Sequence, residues 1–352
     1  MTYMEEAKVK FDALKGKESV LILSVESSCD ETSIALVENG RNVLANIVSS
    51  QIDIHKLYGG VVPEIASRNH IKNISGVLEE ALAVSGKTLQ DIDAVAVTYG
   101  AGLMGALLVG VNFTKTLAYA LKLPLIAVSH VHGHIGANYI SYPDLKPPFL
   151  CLMVSGGHTA IVQVEDYCRF KLVGSTVDDS VGECFDKVAR VLGLPYPGGP
   201  NIDRLAKEGQ NVVKFNYKTP LKDTCNFSFS GLKTAVVNFV HNKEQKNEEY
   251  CKEDIACSFQ ELVTDELCTK TMKACKDLGE TKLVIAGGVG ANSRLREKMG
   301  QYCQENGVQL FVPVLKYCTD NAAMIGAIAY YYILADKGLA DLSLTARPTV
   351  GI

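Results

Sequence analysis

None of the eleven cysteines in the 352-residue chain forms a CxxC pair with another, and their number is odd. The spacing therefore indicates neither a disulfide framework nor a thiolate zinc site. We expect a reduced, cytoplasmic protein whose thiols are mostly buried. Uninterrupted apolar runs fall short of the roughly 18 residues that span a bilayer. The charged first 20 residues lack the apolar core of a signal peptide, so we expect neither secretion nor a membrane association.

An excess of positive charge is missing as well. The formal net charge is −4, which excludes a general affinity for nucleic acid. A nucleic-acid substrate would need a local basic face instead. The segments FSFSGLK (227–233) and SRLREK (293–298) place Ser, Lys and Arg together and are candidate phosphate or tRNA contacts. The alternative for both segments is an ordinary solvated surface.

The chain does have a regular alternation of apolar strands, glycine loops and helical segments. Residues 20–38 and 149–165 each have the pattern of strand, tight polar turn and strand. This weak internal repeat indicates two related lobes. Strands that alternate with helices predict an α/β fold with a largely buried sheet.

The segment HVHGH places three of the seven histidines at residues 130–134. If the preceding strand runs directly into a helix, residues four apart share a face, so His130 and His134 converge while His132 points elsewhere. Two imidazoles suit a transition metal, but a third ligand must come from a distant segment. Val131 stands where HExxH zinc proteases carry their general base. The alternative is a histidine cluster that is satisfied by hydrogen bonds.

Carboxylates that could complete such a site lie near predicted helix starts. Asp320 precedes the final predicted helix, for which Thr319 or Asp320 is the expected N-cap. Asp203 lies near the start of another helix, after a glycine loop. Asp186 lies on a helix whose acidic face could equally be solvated. Spacing alone does not join any of these carboxylates to the histidines.

Glycine-rich loops give a second signal. The segments SGG (155–157), YPGGP (196–200) and AGGVGAN (286–292) allow close backbone approach to a ligand because glycine has no Cβ. Successive N–H groups can form an anion nest, and a helix that starts near Asn292 would add its positive N-terminal end. Together these loops indicate a phosphate-bearing ligand, although none of them is a Walker A or GxGxxG motif. Each loop alone could be an ordinary turn.

Eight segments also occur in the order that is seen in one known family. They are ILSVESSCDETSIALVE, YGGVVPEIASRNH, HVHGHIGAN, MVSGGHT, DDSVGECFDKVARVLGLPYPGGPNIDRLA, FSFSGLKTA, IAGGVGANSRLR and CTDNAAMIGA. On these segments the chain resembles the TsaD family (formerly Gcp), the tRNA N6-threonylcarbamoyladenosine transferases, over roughly residues 20–345. One segment, YGGVVPEIASRNH, is similar to the bacterial branch of that family.

The resemblance implies an α/β fold of the actin-like, sugar-kinase and Hsp70 type (ASKHA), with two lobes around a nucleotide cleft. On this basis we expect an N-terminal extension at 1–19, an N-lobe formed by 20–129 and 322–352, and a C-lobe formed by 130–321. The stretch before residue 19 precedes the usual start of the family, and no role is assigned to it.

The resemblance also implies a set of site residues. The family's metal ligands fall on His130, His134 and Asp320, so the distant carboxylate is supplied. One divalent metal per subunit is expected, with Fe²⁺ as the first choice and Zn²⁺ as the second. His132 occupies a position that is often Glu in bacterial relatives and is not expected to be a ligand. The implied substrate-binding residues are Met153, Val154, Ser155, Gly156, Gly157, Asp186, Gly199, Asp203 and Asn292.

The implied reaction is transfer of a threonylcarbamoyl group from threonylcarbamoyl-adenylate to N6 of adenosine 37 in tRNAs that read ANN codons, with release of AMP. The implied partners are the tRNA anticodon loop, a TsaB-like paralogue and a TsaE-like ATPase. Three alternatives remain from the residues: an ATP-dependent sugar kinase of the same fold, a metalloprotease, and a non-catalytic scaffold like the paralogue.

Overall fold

The computed structural model describes residues 2–218 and 221–352. Its strands are β1 (Leu21–Glu26), β2 (Glu31–Glu38), β3 (Asn42–Ser50), β4 (Ala94–Gly100), β5 (Leu125–Ser129), β6 (Phe149–Val154), β7 (Thr159–Asp166), β8 (Arg169–Ser175), β9 (Lys282–Ala286), β10 (Gln309–Phe311) and β11 (Leu339–Ala340).

The helices are α1 (Tyr3–Leu14), α2 (Ile52–Lys56), α3 (Pro63–Ser85), α4 (Met104–Leu121), α5 (His130–Ser141), α6 (Val181–Val191), α7 (Gly198–Ala206), α8 (Ser230–Gln245), α9 (Lys252–Leu278), α10 (Ser293–Glu305) and α11 (Ala322–Leu334). Short 3₁₀ turns lie at Leu89–Asp91, Gly288–Ala291 and Leu315–Tyr317.

The strands form two mixed sheets of similar design. The first has the order β11-β5-β4-β1-β2-β3, in which β1, β4 and β5 are parallel and β2 and β3 are antiparallel additions. The second has the order β10-β9-β6-β7-β8, in which β6, β9 and β10 are parallel and β7 and β8 antiparallel. The hairpins β1–β2 and β6–β7 hold equivalent positions, so the repeat predicted from the sequence is a repeat of structure.

Helix α11 packs between parts of the chain that are far apart in sequence. It contacts α5 and the strands β1 and β2. Gly133 and Gly136 permit this approach, because a Cβ at either position would collide with Ile325, Met324 or Ile328 of α11. This close packing brings the start of α11 beside the start of α5, where the histidines lie.

The N-terminal extension forms helix α1, which begins with a capping box between Thr2 and Glu5. Its side chains Ala7, Phe11 and Leu14 are buried, and Phe11 and Leu14 belong to the same core cluster as residues of α5 and α11. The hydroxyl of Tyr3 donates to the Leu123 carbonyl at 2.9 Å. The extension is therefore part of the folded core.

Among the described residues, α4 is the one helix that is long and apolar enough to cross a membrane by length and composition. Core helices of ordinary folds pass the same test. Here α4 buries Ala106, Leu107 and Val111 and contacts β4 and α3. Lys115, which interrupts its apolar sequence, donates to the Leu344 carbonyl at 3.0 Å.

The start of α4 also has the spacing GxGxxG at 100–105, which the sequence analysis did not consider. In the structure all three glycines face protein. A Cβ at Gly100 would collide with the Arg347 backbone, one at Gly102 with the Ser28 backbone, and one at Gly105 with the Ser67 side chain. These glycines serve packing, so the motif does not indicate a dinucleotide site.

Candidate metal centre and glycine loops

The two paired histidines lie on the first two turns of α5. Strand β5 ends at Ser129 and the helix begins at His130, as the sequence predicts. The four-residue spacing brings the rings of His130 and His134 to a centroid distance of 4.6 Å. Their exposed fractions are 7% and 1%. Buried imidazoles at this spacing need polar partners.

Asp320 supplies the carboxylate that spacing alone did not join to the histidines. Its Oδ1 lies 3.2 Å from His134 Nε2 and 3.6 Å from His130 Nε2. One ligand atom from each of the three residues falls within 4.8 Å of the others. The structure therefore brings together the two nitrogen ligands and the oxygen ligand that were expected.

The predicted N-cap of the final helix was wrong. Neither Thr319 nor Asp320 caps α11; Asn321 does, and its Oδ1 accepts from the Met324 N–H at 3.1 Å. The helix starts at Ala322, one residue later than an Asp320 cap would allow. Because Asn321 satisfies the helix end, the Asp320 carboxylate is left to face the histidines.

The site residues fit a transition metal by the chemistry of their donor set. Among the described residues, neither ring nitrogen of His134 makes a hydrogen bond of good geometry, although both are buried and Nε2 lies 3.2 Å from Asp320 Oδ1. An unpartnered buried nitrogen is costly unless something binds it, and a metal at this position would do so. Two imidazoles and one carboxylate also leave coordination positions open for a substrate.

The charges within the cluster perturb one another strongly. Burial alone would lower the pKa of His130, but the Asp320 and Glu26 carboxylates more than offset this effect and raise that pKa to about 9. Burial alone would raise the pKa of Asp320, but His130 and His134 hold it well below its usual value. Without a metal, a proton on His130 therefore stabilises the cluster.

Glu26 is a site residue that the sequence analysis missed. This fully buried carboxylate ends β1, and its Oε2 lies 3.2 Å from His130 Nδ1. It also accepts from the Thr98 hydroxyl at 2.6 Å and the Ser28 N–H at 2.5 Å. A carboxylate on Nδ1 turns Nε2 of the ring towards Asp320, the arrangement that orients metal-binding histidines. A charged residue after the apolar run LILSV was the available signal.

His132 lies apart from this cluster. Its ring stacks on Phe170 at 4.0 Å, and its Nδ1 lies 2.5 Å from the Tyr332 hydroxyl. Burial, with a further contribution from Lys337, lowers the pKa of His132 to about 4. The ring is therefore a neutral packing residue in the fold.

The residues 153–157 form the end of β6 and the turn that follows it. Met153 and Val154 are fully buried strand residues, Ser155 is buried, and Gly156 and Gly157 are exposed. The first two are 0% exposed and present no surface to a ligand. Asn138 reaches the neighbouring strand β9 and donates to the Ile285 carbonyl at 3.1 Å. The turn therefore follows a central strand, and the neighbouring strand β9 is hydrogen-bonded to α5, the helix that carries the histidines.

Two other glycine segments pack against this turn through their backbones. A Cβ at Gly287 would collide with the Val154 carbonyl, and one at Gly182 would collide with Ser155 and Gly156. Gly287 also has a φ of +94°, a conformation that favours glycine. The loop that follows β9 and the start of α6 therefore lie beside the 153–157 turn, as the expected ligand cleft requires.

The remaining predicted residues hold loop ends together. Asp186 accepts from the Gly198 N–H at 2.7 Å, and burial raises its pKa. Its neighbour Gly199 has open space around its Cα. Asp203 accepts from the Ser293 hydroxyl at 2.9 Å. Asn292 caps α10, whose first residue is Ser293, so Asp203 and Asn292 lie together.

The two basic segments are occupied by internal contacts. In FSFSGLK, Lys233 pairs with Asp179 at 2.6 Å, and Asp178 accepts from Ser228, Phe229 and Ser230 at the start of α8. In SRLREK, Arg294 and Lys298 both pair with Glu261 of α9. Lys233, Arg294 and Lys298 are therefore paired with carboxylates within the fold, and the phosphate or tRNA contacts expected of the two segments stay a prediction.

Comparison with known proteins identifies the family. The family model for TsaD, described as tRNA N6-adenosine threonylcarbamoyltransferase, matches residues 42–327. This chain belongs to the TsaD family. Curated relatives with that same description include one from Clostridium perfringens, 54% identical over 94% of this chain and 97% of the relative. Another is from Clostridium botulinum, 53% identical over 95% of this chain and 99% of the relative.

Solved structures that resemble this TsaD chain show its fold. The HypF protein from T. kodakarensis aligns with a TM-score of 0.60 at 13% identity, covering 90% of this chain and 48% of HypF. Component A of the (R)-2-hydroxyglutaryl-CoA dehydratase from Acidaminococcus fermentans aligns at 0.52 and 14%, covering 90% and 97%. The predicted two-lobed actin-like fold is confirmed.

Proposed function

We propose that this TsaD chain transfers a threonylcarbamoyl group from threonylcarbamoyl-adenylate to N6 of adenosine 37 in tRNAs that read ANN codons, releasing AMP. The observation that carries the proposal is the cluster of His130, His134 and Asp320, whose charges act on His158, the residue directly after the 155–157 glycine turn. The relatives that share nearly the whole chain are named tRNA N6-adenosine threonylcarbamoyltransferase.

One divalent metal would be held by His130, His134 and Asp320. Fe²⁺ is the first choice for this metal and Zn²⁺ the second. When bound, such a metal would supply Lewis acidity towards the donor carbonyl and a template for the two substrates. Glu26 would keep the His130 ring turned with Nε2 towards the metal. The buried position of the histidines keeps water from competing for the same ligands.

The donor adenylate would lie against the glycine loops. Of the 155–157 turn, the Gly156 and Gly157 N–H groups would hold its phosphate or acyl oxygen and stabilise the charge that develops there, since the Ser155 N–H already donates to the His158 carbonyl at 2.8 Å. Asp203 would bind ribose hydroxyls, and Asp186 and Asn292 other polar groups of the donor. Met153 and Val154, which are fully buried, would support the turn from within β6, and Gly199 would contribute the open space that its missing Cβ leaves.

The acceptor adenine amine is a poor nucleophile because its lone pair is delocalised. Holding it against the donor carbonyl would therefore supply a large share of the acceleration. An anticodon-loop base is single-stranded and can be presented without melting a helix.

The proposed architecture has an N-lobe of residues 20–129 and 322–352 and a C-lobe of residues 130–321. The proposed partners are tRNA, a TsaB-like paralogue and a TsaE-like ATPase. A tRNA acceptor implies a cytoplasmic reaction.

Mass spectrometry of nucleosides tests the proposal. Unmodified tRNA is incubated with the purified chain, partner proteins, the donor adenylate and Fe²⁺ or Zn²⁺. We expect threonylcarbamoyladenosine from the wild type and none from His134→Ala, because the variant loses a metal ligand without losing helix propensity. His241→Ala is the matched control, since His241 is exposed on α8, and it should keep full activity.

The outcomes separate the proposal from its alternatives. Product from His134→Ala at the wild-type rate would contradict the metal role. No product from folded wild type with competent partners would contradict the transferase assignment, and phosphorylation of a sugar by ATP under the same conditions would favour the kinase. A chain that only binds its partners would be a scaffold.

A further inference from the structure

Arg296 lies within α10 and makes three contacts to neutral acceptors. Its Nε donates to the Gly290 carbonyl at 2.6 Å, and its Nη2 donates to the Pro313 carbonyl at 3.0 Å. The same Nη2 lies 3.1 Å from the Cys318 sulfur. Arg294, two residues earlier, instead pairs with the Glu261 and Glu297 carboxylates. The two arginines of one helix therefore have different tasks.

The first contact of Arg296 fixes the loop that follows β9. Gly290 lies in the 3₁₀ turn Gly288–Ala291, between Gly287, which abuts the 153–157 turn, and Asn292, which caps α10. The proposed donor site includes this loop. An anchored Gly290 carbonyl holds the loop against the turn that would bind the phosphate.

The other two contacts fix the segment that leads to Asp320. Pro313 and Cys318 are buried, whereas Val314 and Leu315 between them are half or more exposed. The Cys318 thiol also donates to the Pro313 carbonyl at 3.6 Å. Asp320 follows two residues later and belongs to no helix or strand. Its position therefore depends on anchors such as these.

We propose that Arg296 is a positioning residue that holds the nucleotide loop 287–292 and the metal ligand Asp320 in fixed relation to each other. A guanidinium is planar and presents five donors in a rigid fork, so it can act as a spacer between two backbone segments. The inference rests on the proposed function, because it takes the loop as the donor site and the cluster as the metal site.

Two binding constants test the inference without any transfer reaction. The Kd for Zn²⁺ is measured on metal-stripped protein by competition with a chromophoric chelator. The Kd for AMP is measured by calorimetry with a chelator present, so that the metal cannot link the two sites. Arg296→Met keeps an unbranched stem, although a shorter one, and removes every donor. Arg294→Met on the same helix removes the same charge and is the matched control.

We expect Arg296→Met to weaken Zn²⁺ binding by about tenfold to 100-fold, the range that outer-shell changes usually produce, and to weaken AMP binding as well. Arg296→Lys should give intermediate values for both ligands, because an ammonium can reach one anchor but not span all three. Arg294→Met should leave both constants within about twofold of the wild type, as for surface substitutions.

Thermal unfolding monitored by circular dichroism first establishes that each variant is folded. If Arg296→Met does not fold, Arg296→Lys decides by the same two constants. A folded Arg296 variant with only one constant changed, or neither, would overturn the inference. A wild type that binds neither Zn²⁺ nor AMP would overturn it too. A failed transferase assay with both constants shifted would leave this inference standing and contradict only the proposed reaction.

Discussion

Glu26→Gln tests whether Glu26 orients the His130 ring, because the substitution leaves the three expected metal ligands unchanged. Glutamine has the shape of glutamate and can still accept from the Ser28 N–H, while its amide can donate to the Thr98 hydroxyl. The change removes the negative charge that lies 3.2 Å from His130 Nδ1. The three expected metal ligands remain in place, so any effect on metal binding acts through His130.

Two opposing effects set the magnitude. Loss of an outer-shell carboxylate typically weakens metal binding by about tenfold to 100-fold, which corresponds to about 1.4 to 2.8 kcal/mol. Against this, Glu26 helps to raise the pKa of His130 to about 9. Its removal therefore lessens competition from protons at neutral pH. We expect a net loss near the lower end, about tenfold at pH 7.5.

The assay is chelator competition for Zn²⁺ on metal-stripped protein, with Glu38→Gln as the matched control. Glu38 ends the partner strand β2, and within the described part of the chain its carboxylate accepts from the Ser19 hydroxyl and the Asn42 amide, away from the cluster. The control should bind Zn²⁺ as the wild type does. A folded Glu26→Gln protein whose Kd lies within twofold of the wild type would refute the idea that this carboxylate orients His130.

Two further predictions concern stability. Phe11→Ala should cost about 3 to 5 kcal/mol in urea unfolding, because Phe11 is fully buried, whereas Val9→Ala, at a position that is 65% exposed, should change little; equal stabilities would mean that α1 is dispensable. For His132 the folded pKa of about 4 lies below the unfolded value of about 6.5, so its neutral burial stabilises the fold above pH 6.5 and this stability is lost as the pH falls towards 4. Between pH 7 and 5 metal-stripped wild type should lose about 2 kcal/mol more than His132→Asn, and parallel losses in the two proteins would contradict the assignment.

The sequence predicts those parts of the site that depend on local geometry. The four-residue spacing of His130 and His134 is a property of one helix, and the glycine loops are properties of short segments. Asp320 lies 186 residues after His134, so spacing could not join it to the pair; only the family resemblance did. In the fold, the contact between α11 and α5 brings Asp320 Oδ1 to 3.6 Å from His130 Nε2 and 3.2 Å from His134 Nε2.

The mistakes have a common physical cause. Thr319, Asp320 and Asn321 are all good N-cap residues, and the choice of Asn321 depends on the tertiary position of the Asp320 carboxylate. The SRLREK segment is no such mistake, since its phosphate contacts stay a prediction, but its sequence alone does not show that Glu261, more than thirty residues earlier, pairs with Arg294 and Lys298. Glu26 was missed because a single carboxylate after a strand gives no periodic signal.

The central claim is that His130, His134 and Asp320 together hold a metal, and elemental analysis of the purified chain tests it most directly. Wild type, Asp320→Asn and His241→Ala are expressed in parallel cultures in iron- and zinc-supplemented medium and purified separately. The metal content per chain is then measured by mass spectrometry. The account predicts one metal per chain in the wild type and in His241→Ala, and a loss of most of it in Asp320→Asn. Equal metal content in all three would contradict it.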